Sequence, residues 1–189
     1  MGQPKAWLRC GQEYLLQHIV RRVSEILGSV VVAARAGQEL PPLPDDVRIV
    51  CDRVADAGPL AGIAAGLEAL AEDCQAAFVV ACDQPLLEPC FVARLVELLE
   101  GHAAVVPSHG GRLHPLTAVY RLETRSIVAE MLRMGALQAT AFAQRCAARI
   151  VAEEFFADCD PGLRSLCNFN DPEGFAALIA KLGDPSHDG

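Results

Sequence analysis

Apolar residues are spaced along this chain in two alternating patterns. In one pattern they recur every three or four positions, which predicts helices, and in the other they form short continuous runs, which are typical of strands buried on both faces. The clearest helical segment spans residues 15–27 and would end at Gly28, and the clearest buried strand spans residues 76–81. Further helices are predicted at residues 59–72, 89–100, 122–134, 139–145 and 172–182. Further strands are predicted at residues 30–34, 47–51, 103–106, 116–121 and 149–154.

Strands that alternate with helices predict βαβ units, and therefore an α/β fold with a Rossmann-like, doubly wound, mostly parallel sheet. We expect one domain over residues 1–182, because a chain of 189 residues suits a single domain and no repeat or linker interrupts the pattern. Residues 183–189 are expected to form a frayed polar tail. Sheets of this kind bind ligands beyond the carboxyl ends of their strands, so functional residues are expected there.

The composition excludes several classes of protein. Apolar residues make up 52% of the chain and charged residues 21%, which indicates a globular protein rather than a disordered one. The net charge of −8 and the lack of a basic run argue against a nucleic-acid partner. No apolar stretch approaches the ~20 residues of a membrane span, and residues 1–9 lack the apolar core of a signal peptide. The eight cysteines form no C-x-x-C pair, which favours reduced thiols in the cytoplasm over a zinc site.

Two carboxylates follow predicted strands at the point where a binding site is expected. Asp52 comes directly after the strand that ends at Cys51, and Asp83 follows the strand that ends at Ala81. Mg²⁺ prefers one or two carboxylates together with phosphate oxygens, so these positions suit a metal ion that faces a nucleotide. The alternative is that each aspartate only stabilises a turn, which is common for this residue.

Weaker candidates surround these two positions. Two glycines bracket the start of a predicted helix in Gly58-Pro59-Leu60-Ala61-Gly62, where free N–H groups can meet an anion. Such a helix start more often serves packing. Lys5 lies near the amino terminus, where a lone lysine is usually solvated.

Two further segments could line a substrate pocket. His114 precedes a proline after the glycine-rich turn that contains Arg112, and it could instead be a structural turn residue. Asn168 and Asn170 place two amides just before the last predicted helix, where turn formation and helix capping are the alternatives.

Taken together and in this order, these segments resemble the molybdenum cofactor guanylyltransferases over nearly the whole chain. Each segment alone is a weak signal, whereas the ordered set is specific. The set consists of Met1-Gly2 with Lys5, Gly58-Pro59-Leu60-Ala61-Gly62, Cys82-Asp83-x-Pro85, His114-Pro115 and Asn168-x-Asn170-x-Pro172-Glu173.

The resemblance implies a nucleotidyltransferase fold and a specific reaction. The family joins the guanylyl group of GTP to the phosphate of molybdopterin and releases pyrophosphate. By resemblance, Lys5 is a catalytic residue that contacts the nucleotide phosphates, Asp52 contacts the nucleotide, and Asp83 is catalytic, touches the nucleotide and holds the metal. The pterin-side residues implied in the same way are Arg112, His114, Asn168 and Asn170.

The same resemblance implies the cofactor and the partners. The cofactor is Mg²⁺, with Mn²⁺ as the alternative, and the substrates are GTP and molybdopterin. A molybdoenzyme or its chaperone is the expected protein partner, and the expected location is the cytoplasm, without nucleic acid or membrane. The attacking phosphate oxygen is already ionised at neutral pH, so positioning and charge compensation, rather than a strong general base, would carry catalysis.

The sequence departs from the family pattern at its amino terminus. The family begins with a strand and a loop of the form Leu-Ala-Gly-Gly-x-Ser-x-Arg-Met-Gly, and this sequence begins at the Met-Gly of that loop. The backbone of such a loop cradles phosphates, so we expect weak phosphate binding and an inactive chain. The missing strand belongs at the centre of the sheet, so two inner edges are expected to lack a partner. A start codon assigned too late is the preferred explanation, and a true truncation or pseudogene is the alternative.

A second departure concerns the choice of nucleotide. The family often carries an amide after its second strand, near the guanine, where this chain has Ala34. The rival interpretation is therefore cytidylyl transfer to molybdopterin or to another phosphorylated acceptor. The segment Asp83-Gln84-Pro85-Leu86 also resembles the corresponding segment of the related cytidylyltransferases. A rival of another class is a catalytically dead domain that binds or carries the cofactor.

Overall fold

The structure is a computed structural model that describes residues 4–52 and 58–182. The expected polar tail at residues 183–189 and the motif residues Met1 and Gly2 lie outside the described residues. Helices pack on both faces of two sheets, and buried apolar side chains fill the space between the layers. The predicted α/β class is confirmed, but the described strands form mixed sheets in which antiparallel pairs outnumber parallel ones, so the expectation of a mostly parallel sheet is corrected.

The helices and strands follow the predicted order along the chain. Most differences from prediction are shifts of one to three residues at the ends, where hydrophobic periodicity gives little information. Among the described residues, no helix is both long enough and apolar enough to cross a bilayer. The helices are α1 (Leu15–Ser24), α2 (Gly58–Ala69), α3 (Pro89–Glu97), α4 (Arg125–Arg133), α5 (Ala139–Arg145) and α6 (Pro172–Leu182). The strands are β1 (Arg9–Cys10), β2 (Glu13–Tyr14), β3 (Val31–Ala34), β4 (Arg48–Cys51), β5 (Ala76–Val80), β6 (Ala104–His109), β7 (Arg112–Leu113), β8 (Thr117–Arg121) and β9 (Arg149–Val151).

The strands form a divided sheet rather than a continuous one. β3 pairs in parallel with β4, and a separate five-stranded sheet has the order β5-β8-β6-β7, with β9 paired in parallel to β6. β5 and β6 both pair antiparallel to β8, so these two strands run in the same direction on either side of an antiparallel strand. Within the described residues, β3 and β5 each have one paired edge.

Two apolar clusters hold the layers together on opposite faces of the sheets. On the face covered by α1 and α3, the ring centroids of Phe91 and Phe156 lie 4.6 Å apart in one buried cluster. On the face covered by α2, α4 and α5, Tyr120 stacks on Phe142 with centroids 4.9 Å apart. Burial of aromatic side chains contributes most per residue to such cores, so these two pairs fix the helices against the sheet.

The carboxyl ends of β5 and β6 lie at the same edge of the five-stranded sheet. This follows from their common direction, and β8 begins at that edge because Val80 is aligned with Thr117. The turn after β5 and the hairpin between β6 and β7 therefore occupy one edge, which we call the carboxyl edge. It is where ligands bind in sheets of this class.

Candidate active site

An ion pair between the amino-terminal segment and the turn after β5 forms the centre of the carboxyl edge. Lys5 lies in a short 3-10 helix (Lys5–Trp7), and its Nζ donates a 2.8 Å hydrogen bond to Oδ2 of Asp83. Both side chains are partly exposed, Lys5 by 34% and Asp83 by 19%. Because both remain accessible, an added anion or cation could reach them from solvent. The pair is the contact on which the candidate site is built.

The segment before α6 completes the surroundings of the Lys5 ammonium group. Nζ of Lys5 also donates a 2.8 Å hydrogen bond to the carbonyl oxygen of Phe169, and it lies 4.9 Å from the centroid of the Phe169 ring. That ring is buried and lies 4.7 Å from the ring of Phe175, between centroids. These contacts fix Nζ in position, and they bring the neighbouring amide residues Asn168 and Asn170 to the same edge.

A buried amide ties the turn after β5 to two neighbouring elements. Oε1 of Gln84 accepts a 2.8 Å hydrogen bond from the Thr117 hydroxyl and a 3.4 Å bond from the Ala81 N–H. Its Nε2 donates a 3.2 Å bond to the carbonyl oxygen of Ser165. The Gln84 side chain is therefore bonded on both its oxygen and its nitrogen, and it joins β5, β8 and the segment before α6.

A buried histidine holds the same turn from the side of α1. The Nε2 atom of His18 lies 2.9 Å from the carbonyl oxygen of Pro85, and its Nδ1 lies 2.9 Å from Oε1 of Glu13. The turn that carries Asp83 is therefore held by β8, by the segment before α6 and by α1. Sequence reasoning missed both Gln84 and His18, because an amide or an imidazole beside an apolar run carries no signal of its partners.

Replacing Gln84 by leucine should destabilise the fold and loosen the turn that carries Asp83. The substitution leaves the buried Thr117 hydroxyl and the Ser165 carbonyl without their partner, so we expect the free energy of unfolding to fall by about 2–3 kcal/mol. Urea denaturation followed by circular dichroism measures this change. The matched control is Gln144→Leu, because Gln144 is exposed on α5 and should tolerate the change. Equal stability of the two variants would contradict the bracing role of Gln84.

Asp52 and Asp83 follow strands that belong to different sheets. Asp52 follows β4, which lies on the outer side of β3, and its N–H donates a 2.9 Å bond to the carbonyl oxygen of Ala34. β5, the strand that precedes Asp83, belongs to the other sheet. A role of Asp52 at the nucleotide stays a prediction.

The predicted pterin-side residues Arg112 and His114 lie at the carboxyl edge, and β8 and β6 lie between β5 and the strand β7 that contains Arg112. Arg112 is exposed in the β6–β7 hairpin, and the N–H of His114 donates a 2.9 Å bond to the carbonyl oxygen of Pro107. Burial lowers the pKa of the half-buried His114 ring, and the positive charge of Arg112 lowers it further. At neutral pH the ring is therefore an uncharged hydrogen-bonding group. Its contact with a substrate remains a prediction.

The glycine-flanked start of α2 combines one position that requires glycine with one that does not. Gly58 has a φ of +61°, a conformation that disfavours residues with a side chain. A Cβ atom on Gly62 would lie 3.6 Å from Cβ of Ala33, which is an ordinary contact. Close packing therefore does not explain Gly62. Residues 53–57, which lead into this helix, lie outside the described residues.

The residues at the carboxyl edge fit a metal ion that a phosphate-bearing substrate helps to hold. Within residues 4–52 and 58–182, no three His, Cys, Asp or Glu side chains are grouped closely enough to bind a metal on their own. Mg²⁺ often uses one carboxylate, several waters and substrate phosphates, and Asp83 offers one carboxylate. Burial raises the pKa of the adjacent Cys82 thiol to about 12, so this cysteine is a neutral packing group rather than a ligand or nucleophile.

Comparison with known proteins decides the family. A family model described as the MobA-like NTP transferase domain matches residues 1–151. This chain belongs to that family. A probable molybdenum cofactor guanylyltransferase from Pelotomaculum thermopropionicum is 37% identical over 137 residues, which cover 70% of this chain. The match spans 63% of that relative, just under two thirds of its length.

Solved structures confirm the nucleotidyltransferase fold. The molybdopterin-guanine dinucleotide biosynthesis protein A from Archaeoglobus fulgidus has a TM-score of 0.74 at 20% identity, over 96% of this chain and 91% of that one. The 2-C-methyl-D-erythritol 4-phosphate cytidylyltransferase from Thermus thermophilus has a TM-score of 0.71 at 21% identity, over 95% and 94% of the two chains. At these identities both structures report on the fold alone. The individual roles of the site residues therefore remain predictions.

Proposed function

We propose that this MobA-like domain transfers the guanylyl group of GTP to the phosphate of molybdopterin. The observation that carries the proposal is the contact between Lys5 and Asp83 at the carboxyl edge, where a lysine and a carboxylate from distant parts of the chain lie 2.8 Å apart. Family membership and the name of the Pelotomaculum relative support this choice of substrates.

The proposed reaction is an in-line displacement at phosphorus. A phosphate oxygen of molybdopterin forms a bond to the α-phosphorus of GTP, and the bond from that phosphorus to the bridging oxygen breaks. Pyrophosphate leaves with the electron pair. Two anions must approach each other, so the main task of the protein is to hold them in line and to offset their repulsion.

Lys5 and Asp83 divide this task between them. The ammonium group of Lys5 supplies positive charge beside the triphosphate, and the carbonyl of Phe169 and the Phe169 ring orient it. Asp83 would hold Mg²⁺, which supplies further charge compensation when it is bound. Hydrogen bonding of Lys5 to Asp83 before nucleotide binds keeps both groups in place, and arriving phosphates would compete for the lysine.

On the acceptor side, the proposal uses the amides Asn168 and Asn170 and the segment from Arg112 to His114. The two amide residues flank Phe169, whose carbonyl binds Lys5. A neutral His114 and a cationic Arg112 at the same edge suit the polar ring and the phosphate of a pterin. Delivery of the product to a molybdoenzyme or its chaperone completes the proposal.

Pyrophosphate release with each nucleotide tests the substrate assignment. This test and the kinetic tests below use a version of the protein that includes the family's amino-terminal strand and loop. With molybdopterin and Mg²⁺ present, we expect GTP to support release at least tenfold faster than CTP. The competing cytidylyl function is favoured by Ala34, whose buried side chain has no hydrogen-bonding group for a guanine edge. A preference for CTP would overturn the guanylyl assignment. Binding of molybdopterin without turnover of any nucleotide would favour a domain that only carries the cofactor.

A further inference from the structure

Two cysteines from distant parts of the chain meet where α3 begins. Cys90 is the second residue of α3, and its thiol donates a 2.5 Å hydrogen bond to the carbonyl oxygen of Cys159. Cys159 lies in the turn that follows a short 3-10 helix, Glu153–Phe156. Both cysteines are free thiols, and Cys90 is exposed while Cys159 is partly exposed. The contact therefore brings together two accessible thiols that are 69 positions apart in sequence.

Further contacts hold the two segments against each other on either side of the thiols. The ring of Phe91 packs on that of Phe156, with centroids 4.6 Å apart. One turn further along α3, the guanidinium of Arg94 donates bonds of 3.2 and 2.9 Å to the two oxygens of Asp158. The same group donates a 2.7 Å bond to the carbonyl oxygen of Phe155. The two cysteines are therefore kept opposite each other by contacts that do not involve sulfur.

The thiol of Cys159 is protonated at neutral pH. Burial raises its pKa, and electrostatic repulsion and a hydrogen bond from the Cys90 side chain raise it further. The positive charge of Arg94 acts in the opposite direction. Because the thiolate is the reactive form of cysteine, Cys159 reacts slowly while Cys90 is a free thiol. Modification of Cys90 ends both of its effects and leaves that of Arg94, so Cys159 becomes more reactive.

We propose that Cys90 and Cys159 form a thiol–disulfide exchange site, which a low-molecular-weight disulfide such as oxidised glutathione converts into a reversible intramolecular bridge. The exposed Cys90 reacts first and Cys159 resolves the product. We call this site the cysteine clamp. It goes beyond the proposed nucleotidyl transfer and does not depend on it.

The reaction takes two balanced steps. The sulfur of Cys90 attacks one sulfur of the reagent, a mixed disulfide forms, and the other half of the reagent leaves as a thiolate. The sulfur of Cys159 then attacks the sulfur of Cys90, and the bond to the remaining half of the reagent breaks. Each departing thiolate takes up the proton that the attacking cysteine has lost. Two protein thiols are oxidised, and one reagent disulfide is reduced to two thiols.

The bridge fastens a segment that supports the candidate active site. Asp160, next to Cys159, is buried, and its carboxylate accepts bonds of 2.9 and 3.0 Å from the N–H groups of Arg164 and Ser165. The Ser165 hydroxyl accepts a 2.9 Å bond from the N–H of Glu88, just before α3. A covalent link at Cys159 therefore restrains the same segment that these hydrogen bonds hold, and it opposes local opening there.

Oxidation of the full chain with oxidised glutathione, followed by mass spectrometry of a tryptic digest, tests the bridge. We expect an intramolecular cross-link between Cys90 and Cys159 that dithiothreitol removes. The exposed Cys51 and Cys74 serve as controls, and they should acquire glutathione without cross-linking to either member of the clamp. In the Cys159→Ser variant, glutathione should remain on Cys90, because the second step has lost its nucleophile.

The rate of bridging tests whether Arg94 positions the pair. Arg94→Gln removes the two bonds to Asp158 and the charge that favours the Cys159 thiolate, so we expect the bridge to form at least about fivefold more slowly. Alkylation with iodoacetamide at successive times stops the reaction and gives the rate. The matched control is Arg133→Gln, because Arg133 is exposed at the end of α4 and should leave the rate unchanged.

The stability of the oxidised protein tests whether the bridge fastens the segment. Closing a long loop restricts the unfolded chain, so we expect the melting temperature of the bridged protein to exceed that of the reduced protein by about 5 °C or more. Amide hydrogen exchange at Arg164 and Ser165 should also slow on oxidation. In Cys90→Ser, the same oxidation should produce neither change.

Four outcomes would overturn the proposal. The first two are glutathione that stays on Cys90 of the unsubstituted chain without a bridge, and a cross-link from Cys90 to another cysteine such as Cys167. The third is a bridge that forms equally fast in Arg94→Gln, which would contradict positioning by α3. The fourth is a bridged protein with unchanged or lower stability. None of these readouts uses nucleotide turnover, so failure here is distinct from failure of the proposed function.

Discussion

Asparagine in place of Asp83 should lower the rate of guanylyl transfer by at least about a hundredfold while leaving the fold intact. The change removes the negative charge that would hold Mg²⁺ and keeps the size and hydrogen-bonding shape of the side chain. Asp83 is 19% exposed and its ion pair with Lys5 is partly solvated, so the cost in folding free energy should be small. Pyrophosphate release with GTP, molybdopterin and Mg²⁺ measures the rate, and circular dichroism checks the fold.

A matched aspartate elsewhere on the surface controls for loss of charge alone. Asp45 is exposed in the loop before β4, and Asp45→Asn should retain the full rate. If the Asp83 variant kept its Mg²⁺-dependent rate, the metal role of this residue would be excluded. A parallel drop in both variants would mean that overall charge, rather than the site, controls turnover.

Methionine in place of Lys5 should weaken both nucleotide binding and turnover, with kcat/KM for GTP lower by about 10²-fold. The substitution keeps an unbranched apolar chain beside Phe169 and removes the cation that would compensate phosphate charge. Because Lys5 would contact phosphates in the ground state as well as in the transition state, we expect KM to rise and kcat to fall together. Steady-state kinetics over a range of GTP concentrations separates the two effects.

The chain offers a natural control for this substitution. Lys181 is the other lysine of the sequence, and it is exposed near the end of α6. Lys181→Met should leave both constants within about twofold of the unsubstituted chain. Normal kinetics in the Lys5 variant would show that its contact with Asp83 is only structural, and the proposed charge compensation would then be wrong.

The fold was predictable where one spacing of apolar residues dominates a segment. The continuous apolar run at β5 and the amphipathic pattern of α1 gave these elements their type and approximate bounds, and α5 has the predicted bounds of residues 139–145. The β1–β2 hairpin was not predicted, because two-residue strands are too short to show a period. β6 continues to His109, since the β6–β7 hairpin pairs residues that sequence composition assigned to a turn.

For the candidate site, the sequence singles out residues but does not show their contacts. Asp83 stands out because it follows an apolar strand, whereas the lysine that it binds is 78 positions away and was notable only through the family resemblance. The pairing of strands decides which strand tips are neighbours, and the sequence does not show that β4 and β5 belong to different sheets. Long-range hydrogen bonds such as that from Gln84 to Ser165 leave no pattern in a single sequence.

Paramagnetic broadening by Mn²⁺ tests most directly the claim that the carboxyl edge holds a metal–nucleotide complex. In amide spectra of the ¹⁵N-labelled protein, Mn²⁺ added with GTP should broaden the signals of Lys5, Asp83 and Phe169 and leave that of Asp45 sharp. Broadening centred instead on the acidic residues Glu72 and Asp73 at the opposite end of the strands, or broadening that does not depend on GTP, would contradict this site.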